Sequence, residues 1–277
     1  MENKDNKAGG CACGAPRPAP QYPDQVTGMY VLARALRMVG VDTMYGLVGI
    51  PVTEVAYIAQ EQGIRFVSFR HEQNAGMAAQ THGFLTGKPG VLLTVSSLGF
   101  LNGLTATANA TVNCYPMIQI SGSSVREPID LDQGTYEGLD QLAIARPLVK
   151  AAYRVNNVED IPTAVVRAFR AAVSGRPGGV YLDITTPCLG QVIDMSRAEE
   201  LLYTPVDPCP AMPPAPEAID RAMQLIASAK RPAFIIGKGA AYARVEEQMK
   251  SLVEKTGIPY LPMSMAKGLL PDNGPLS

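Results

Sequence analysis

From Val26 onward the chain alternates between two hydrophobic periods. VTGMYVLARALRMVG (26–40) has helical spacing and ends at Gly40, and TMYGLVG is strand-like and runs into Ile50-Pro51. VTEVAYIAQEQG then reads as a helix and RFVSF as a strand. EQNAGMAAQTHGFLTG is a helix rich in small residues before the strand GVLLTVSS, and GFLNGLTATANATVN is another before the strand PMIQISG. After a polar loop, LVKAAYRV is a strand, IPTAVVRAFRAAVSG a helix and GVYLDI a strand. Near-continuous apolar strands alternating with helices are the signature of a parallel sheet covered on both faces. Residues 25–190 are therefore expected to form a doubly wound α/β domain. Such sheets take ligands at the carboxyl ends of their strands, where SFRHE and TVSSLGF fall.

The flanks read differently. Residues 1–24 form a Gly/Ala/Pro tail without apolar periodicity, expected to be disordered. Residues 191–216, proline-rich from Pro205, are expected to be a linker. In 217–277 a second, Rossmann-like α/β unit begins: EAIDRAMQLIASAK is a helix, PAFIIG a strand, RVEEQMKSLVEKTG a helix and IPYLPMS a strand. Two strands and two helices do not close such a domain, so the sequence is expected to end inside it.

Composition narrows the partners. The 277 residues are 47% hydrophobic and 18% charged, with a net charge of -1 and no basic block. Nucleic-acid binding is therefore not expected. No apolar run reaches membrane-spanning length and MENKDNKAGG lacks an apolar signal core, so a cytoplasmic protein is expected. The five cysteines, Cys11, Cys13, Cys114, Cys188 and Cys209, are odd in number and suit a reducing compartment. Cys11 and Cys13 read as part of the tail rather than half of a metal clip, and Cys114 as a buried small residue.

The stretch HEQNAG raises the sharpest chemical question. A zinc protease needs His-Glu-x-x-His, but Ala75 stands at the second ligand position and the next histidine is His82, so zinc is disfavoured. Spacing alone leaves Glu72 between a carboxylate capping the first turn of a helix and an acid that works on a bound group. In VSSLGFLNG, containing Gly99 and Asn102, a strand enters a Gly turn that opens a helix, leaving backbone N–H groups for a ligand or simply closing a βα loop. GTYEGLDQ comes after a long polar loop, and its Tyr136 is a ligand donor or a surface aromatic. GKGAAY begins like a dinucleotide fingerprint, with Tyr242 at the third glycine position; Lys238 between its glycines suits a phosphate. In GRPGG, Arg176 reads more simply as a solvated loop arginine.

Together, in order, YGLVGIP, SFRHEQNAGMAAQTHGFLTGKPG, LGFLNG, NCYPMIQISGSS, GTYEGLDQ, SGRPGGVYLD and GKGAAYA resemble the N-terminal half of thiamine-diphosphate enzymes. HEQNAG with GTYEGLDQ is most similar to the oxalyl-CoA decarboxylase branch, before the 2-hydroxyacyl-CoA lyases and acetolactate-synthase-like enzymes. The resemblance covers Val26 to Ser277 and departs at Leu98, where the family commonly has proline. It implies a pyrimidine-binding domain and, after it, an ADP-binding type of middle domain. It implies thiamine diphosphate and Mg²⁺ as cofactors, with the metal ligands downstream, and ADP as an activator. Glu72 matches the glutamate that activates the cofactor, with Gly99 and Asn102 at the turn beside it. Ile50 and Tyr136 match positions at the substrate, here oxalyl-CoA, and Arg176 and Lys238 match ADP-binding positions. It also implies a homo-oligomer, commonly a tetramer, with active sites between chains. A reading of another class is a non-catalytic nucleotide-binding or assembly protein.

Overall fold

A computed structural model describes residues 24–134, 138–205, 209–210 and 212–277. The tail up to residue 23, with Cys11 and Cys13, lies outside the described residues, as does Tyr136. In chain order the first domain runs β1 (Gln25–Thr27), α1 (Gly28–Met38), β2 (Thr43–Gly46), α2 (Thr53–Glu61), β3 (Arg65–Ser68), α3 (Glu72–Thr86), β4 (Gly90–Thr94), α4 (Leu98–Asn113) and β5 (Met117–Ser123). It continues with α5 (Arg126–Asp130), α6 (Gln141–Ala145), β6 (Ala151–Val155), α7 (Ile161–Val173), β7 (Gly179–Thr185), α8 (Thr186–Gly190), β8 (Val192–Asp194) and α9 (Met195–Leu201). The second unit holds α10 (Pro216–Ser228), β9 (Phe234–Ile236), α11 (Lys238–Ala243), α12 (Glu246–Thr256) and β10 (Tyr260–Pro262).

Six strands form one parallel sheet in the order β3-β2-β4-β5-β7-β6. The fold is the doubly wound α/β sheet that the alternation of periods predicts. After β2 the chain adds β3 on one side and crosses through α3 to β4 on the other. That reversal opens a crevice at the carboxyl ends of β2 and β4, the place where such sheets bind ligands.

The two faces of the sheet are packed by different means. On one face Val91, Leu93, Ile118 and Ile120 meet α1, α2 and α7 through Leu32, Leu36, Val55, Ile161 and Val165. Each such side chain contributes about 1.5–3 kcal/mol on burial. On the other face small residues let α3 and α4 lie close together over Leu92 and Met117, through Ala75, Ala79, Ala106 and Ala110. Gly76 shows how close: a Cβ there would stand 2.5 Å from the Cβ of Ala106.

Three short elements escape the sequence pattern. The segment read as one helix from Val26 begins as β1, which pairs antiparallel with β8. β8 and α9 thus occupy the first part of the segment read as a linker, 191–216, with Ala198 buried and Arg34 Nε bonded to Glu199 at 3.3 Å. Three-residue strands carry too little periodicity to register in a sequence, and long-range pairing alone reveals them.

The second unit pairs β9 with β10 in parallel around a small core of Ile236, Val253, Tyr260 and Leu270. It touches the first domain where Lys238 Nζ donates to the Asn113 carbonyl at 3.0 Å, and where Arg244 donates to the Leu85 carbonyl. No helix among the described residues is long and apolar enough to cross a membrane.

Candidate functional site

Four loops meet at the carboxyl edge of the sheet. Ile50 comes after β2, Glu72 after β3, Gly99 and Asn102 open α4 after β4, and residues 124–134 leave β5. Glu72 is the first residue of α3, and the cap itself is His71, whose Nδ1 accepts the Gln73 N–H at 3.2 Å. This corrects the reading of Glu72 as the cap. With the capping role taken by its neighbour, the Glu72 side chain turns inward and is only 8% exposed. Its Oε2 accepts from Asn102 Nδ2 at 3.0 Å. Among the described residues this is the one hydrogen bond to the Glu72 carboxylate, which leaves Oε1 with its lone pairs available.

Gly99 shapes the space around Oε1. A Cβ at this position would stand 3.2 Å from Glu72 Oε1 and 2.4 Å from Val95 Cγ2. Any side chain here would crowd the carboxylate and displace Val95. Leu98 and Ile50 project nearby into solvent, 73% and 81% exposed. The Ile50-Pro51 peptide is cis, and Pro51 lies against Gly122 of β5. A buried acid beside an open, partly apolar rim can exchange a proton with a ligand that enters there.

The turn that carries Gly99 and Asn102 rests on a buried polar network. The Ser97 N–H donates to Gln141 Oε1 at 2.5 Å, and Gln141 Nε2 donates to the Gly122 carbonyl at 3.0 Å and the Tyr181 hydroxyl at 2.9 Å. Gln141 opens α6, a helix of five residues that Asp140 caps by accepting the Ala143 N–H at 3.3 Å. Asp140 is in turn held by Arg154 at 2.9 Å, and Arg154 is anchored on the fully buried Asp183 at 2.6 Å. Burial pushes the Asp183 carboxyl above its ordinary value, against the downward pull of Arg154. Partial desolvation works the same way on Asp140, but its bonds to Arg154 and the Ala143 N–H outweigh it and hold that carboxyl low. The Tyr181 hydroxyl, desolvated and near Asp183, is pushed well above its usual value and stays protonated. Asp140 and Gln141 close GTYEGLDQ, and Tyr181 and Asp183 lie at the end of SGRPGGVYLD, but nothing in the linear sequence assigns these residues to one network.

The remaining expected residues gather at the far end of α4, about 24 Å away by helix rise. Arg176 donates from Nε to Cys114 Sγ at 2.9 Å and from Nη2 to the Val112 carbonyl at 3.1 Å. Lys238 bonds the Asn113 carbonyl, with the Tyr115 ring 6.0 Å from its Nζ. Arg176 is thus an exposed loop arginine, as read, but one bonded to the end of α4, and Cys114 is half-buried rather than buried. Both cations sit where the helix leaves its last carbonyls unpaired and carries partial negative charge. The histidines do not converge: His82 Nδ1 lies 3.1 Å from the Tyr45 hydroxyl, and among the described residues no cluster of His, Cys, Asp or Glu could hold a metal ion.

Comparison with known proteins gives the family. Residues 26–144 match the N-terminal TPP binding domain of thiamine pyrophosphate enzymes, and residues 219–277 match the central domain of the same enzymes. The chain belongs to the thiamine pyrophosphate enzymes. It is 54% identical over 250 residues to oxalyl-CoA decarboxylase of Escherichia coli (strain K12), covering 90% of this chain and 44% of that protein. It is 45% identical over 257 residues to 2-hydroxyacyl-CoA lyase of Arabidopsis thaliana, covering 90% and 44%. To acetolactate synthase of Arthrospira platensis it is 34% identical over 257 residues, covering 91% and 44%. The chain thus spans a little under half the length of these curated relatives.

Proposed function

We propose that the chain is the N-terminal part of an oxalyl-CoA decarboxylase that converts oxalyl-CoA to formyl-CoA and CO₂. The observation that carries this reading is the buried Glu72, held on one oxygen by Asn102 and faced by Gly99, in a chain 54% identical to an enzyme of that name. Thiamine diphosphate, when bound, supplies a carbon nucleophile and a sink for the electrons that decarboxylation leaves behind.

Each residue of this chain would have a separate part. Glu72 holds and releases a proton at Oε1, toward the pyrimidine ring, while the Asn102 amide steadies Oε2. Gly99 leaves room for the ring beside that oxygen. Ile50 offers an apolar contact to the substrate, and Tyr136, outside the described residues, donates a hydrogen bond to it. Excluding water from a buried acid strengthens each of these interactions. Mg²⁺ would be held by residues other than those described, and the complete site would form in a homo-oligomer, commonly a tetramer. Arg176 and Lys238 would bind ADP, whose diphosphate replaces the α4 carbonyls as their partner. A cytoplasmic location goes with this reading.

The test is an assay of the full-length protein with oxalyl-CoA and, separately, with a long 2-hydroxyacyl-CoA. Formyl-CoA from the first is expected. Cleavage of the second alone would make the protein a 2-hydroxyacyl-CoA lyase, and turnover of neither would favour a non-catalytic nucleotide-binding role.

A further inference from the structure

The first turn of α4 is built on an unfavourable residue. Ser97 has φ 51° and ψ -104°, a conformation that glycine takes freely and serine takes only where its surroundings impose it. The imposing group is Gln141. It has no exposed surface, and its amide is oriented from both ends. The Ser97 N–H requires an oxygen, and the Gly122 carbonyl requires a nitrogen. Flipping the amide would set oxygen against oxygen at Gly122 and two donors against each other at Ser97. The Gln141 carbonyl therefore points at Ser97, a residue 44 positions away in the chain.

Immediately after Ser97 comes the part of α4 that faces Glu72. Gly99 lies against Glu72 Oε1 and Asn102 bonds Oε2. A relaxed Ser97 would rotate this turn and carry both away from the carboxylate. We propose that Gln141 is a positioning residue for Glu72, acting through the strained backbone of Ser97. This rests on the reading of Glu72 as the functional acid. It explains why an amide stands at this point in the core: a carboxylate has no donor for Gly122, and an aliphatic side chain has no acceptor for Ser97.

The experiment uses the full-length protein without cofactor and measures amide hydrogen exchange over residues 97–104. In Gln141→Met, exchange there is expected to quicken about tenfold, the size of one lost buried hydrogen bond, with β4 and β7 unchanged. The carboxylate band of Glu72, isolated by infrared difference against Glu72→Gln, is expected to shift in the same variant. Adding Ser97→Gly, which needs no help to hold this conformation, should return both signals toward wild type. Tyr181→Phe, which loosens the network but spares the Ser97 bond, should leave both in place. If Gln141→Met does not fold, Gln141→Asn withdraws the carbonyl while keeping an amide in the network, and the same criteria apply. Wild-type exchange in the Gln141 variant, or no recovery on adding Ser97→Gly, would overturn the proposal. Neither signal depends on turnover, so such a failure would leave the catalytic reading of Glu72 standing, and an active Glu72→Gln enzyme would sink that reading alone.

Discussion

The two ends of α4 are held by different kinds of force. At its start, buried neutral groups fix the backbone: Gln141, Tyr181 and Gly122 lie inside the domain, and Ser97 is kept in a conformation it would not choose. At its end, two cations from a loop and from the second unit rest on open carbonyls at Val112 and Asn113. Buried hydrogen bonds are costly to break, whereas cations near solvent are screened and exchange partners readily. One end is suited to holding an acid in a fixed place; under the proposed function the other exchanges its carbonyl partners for ADP.

The largest expected effect breaks the fixed end at its purpose. Glu72→Gln in the full-length protein should lower decarboxylation by about 10²- to 10⁴-fold, the usual worth of a positioned proton-transfer group, with the circular dichroism spectrum unchanged. Near wild-type turnover would remove Glu72 from the chemistry. Next comes the anchor beneath it. Arg154→Met leaves Asp183 buried without its cation, and urea unfolding at neutral pH should show a loss of about 3–5 kcal/mol. The pH dependence has a definite sign. Asp183 has a folded-state value raised above 3.8 by burial, so it favours the folded state below that pH and loses this contribution as pH rises through the folded value. Removing Arg154 raises the folded value further. The difference between variant and wild type should therefore be small near pH 4 and grow toward pH 7; a constant difference would mean that Asp183 is not the group involved.

The adjustable end should yield smaller numbers. Lys238→Met is expected to cost less than about 1 kcal/mol in the same unfolding experiment while weakening ADP binding in a calorimetric titration. An unchanged ADP isotherm would leave Lys238 as a helix cap only. Smallest of all is a difference in labelling. Burial pushes the Cys188 thiol up to about 12, so iodoacetamide should spare it in the native protein while modifying the half-buried Cys114. Labelling of both at one rate would show that the domain opens as a whole.

Much of the first domain was legible in the sequence because its local preferences agree with its fold. The apolar runs GVLLT and GVYLDI read as buried strands, and they form β4 and β7 of the sheet. Glu72 could be placed at a strand-to-helix junction from spacing. Spacing could not distinguish it from the cap, since His71 and Glu72 are adjacent and both are capable of capping; only the fold shows that His71 takes the Gln73 N–H. β1, β8 and α9 were invisible because each is short and gains its stability from a partner at the other end of the domain.

The sequence by itself determined the period of each major element, hence the parallel sheet, and the order of motifs by which the chain belongs to the thiamine pyrophosphate enzymes. Periodicity and motif order are properties of neighbouring residues, and a linear chain records them directly. The tertiary structure alone decided that Asn102 holds Glu72, that Arg176 and Lys238 meet on one helix end, and that Gln141 holds Ser97 in place. Those contacts join residues 30 to 125 positions apart. They exist only because the strand order brings separate loops to one edge of the sheet, where burial makes each unsatisfied polar group costly enough to select a single arrangement.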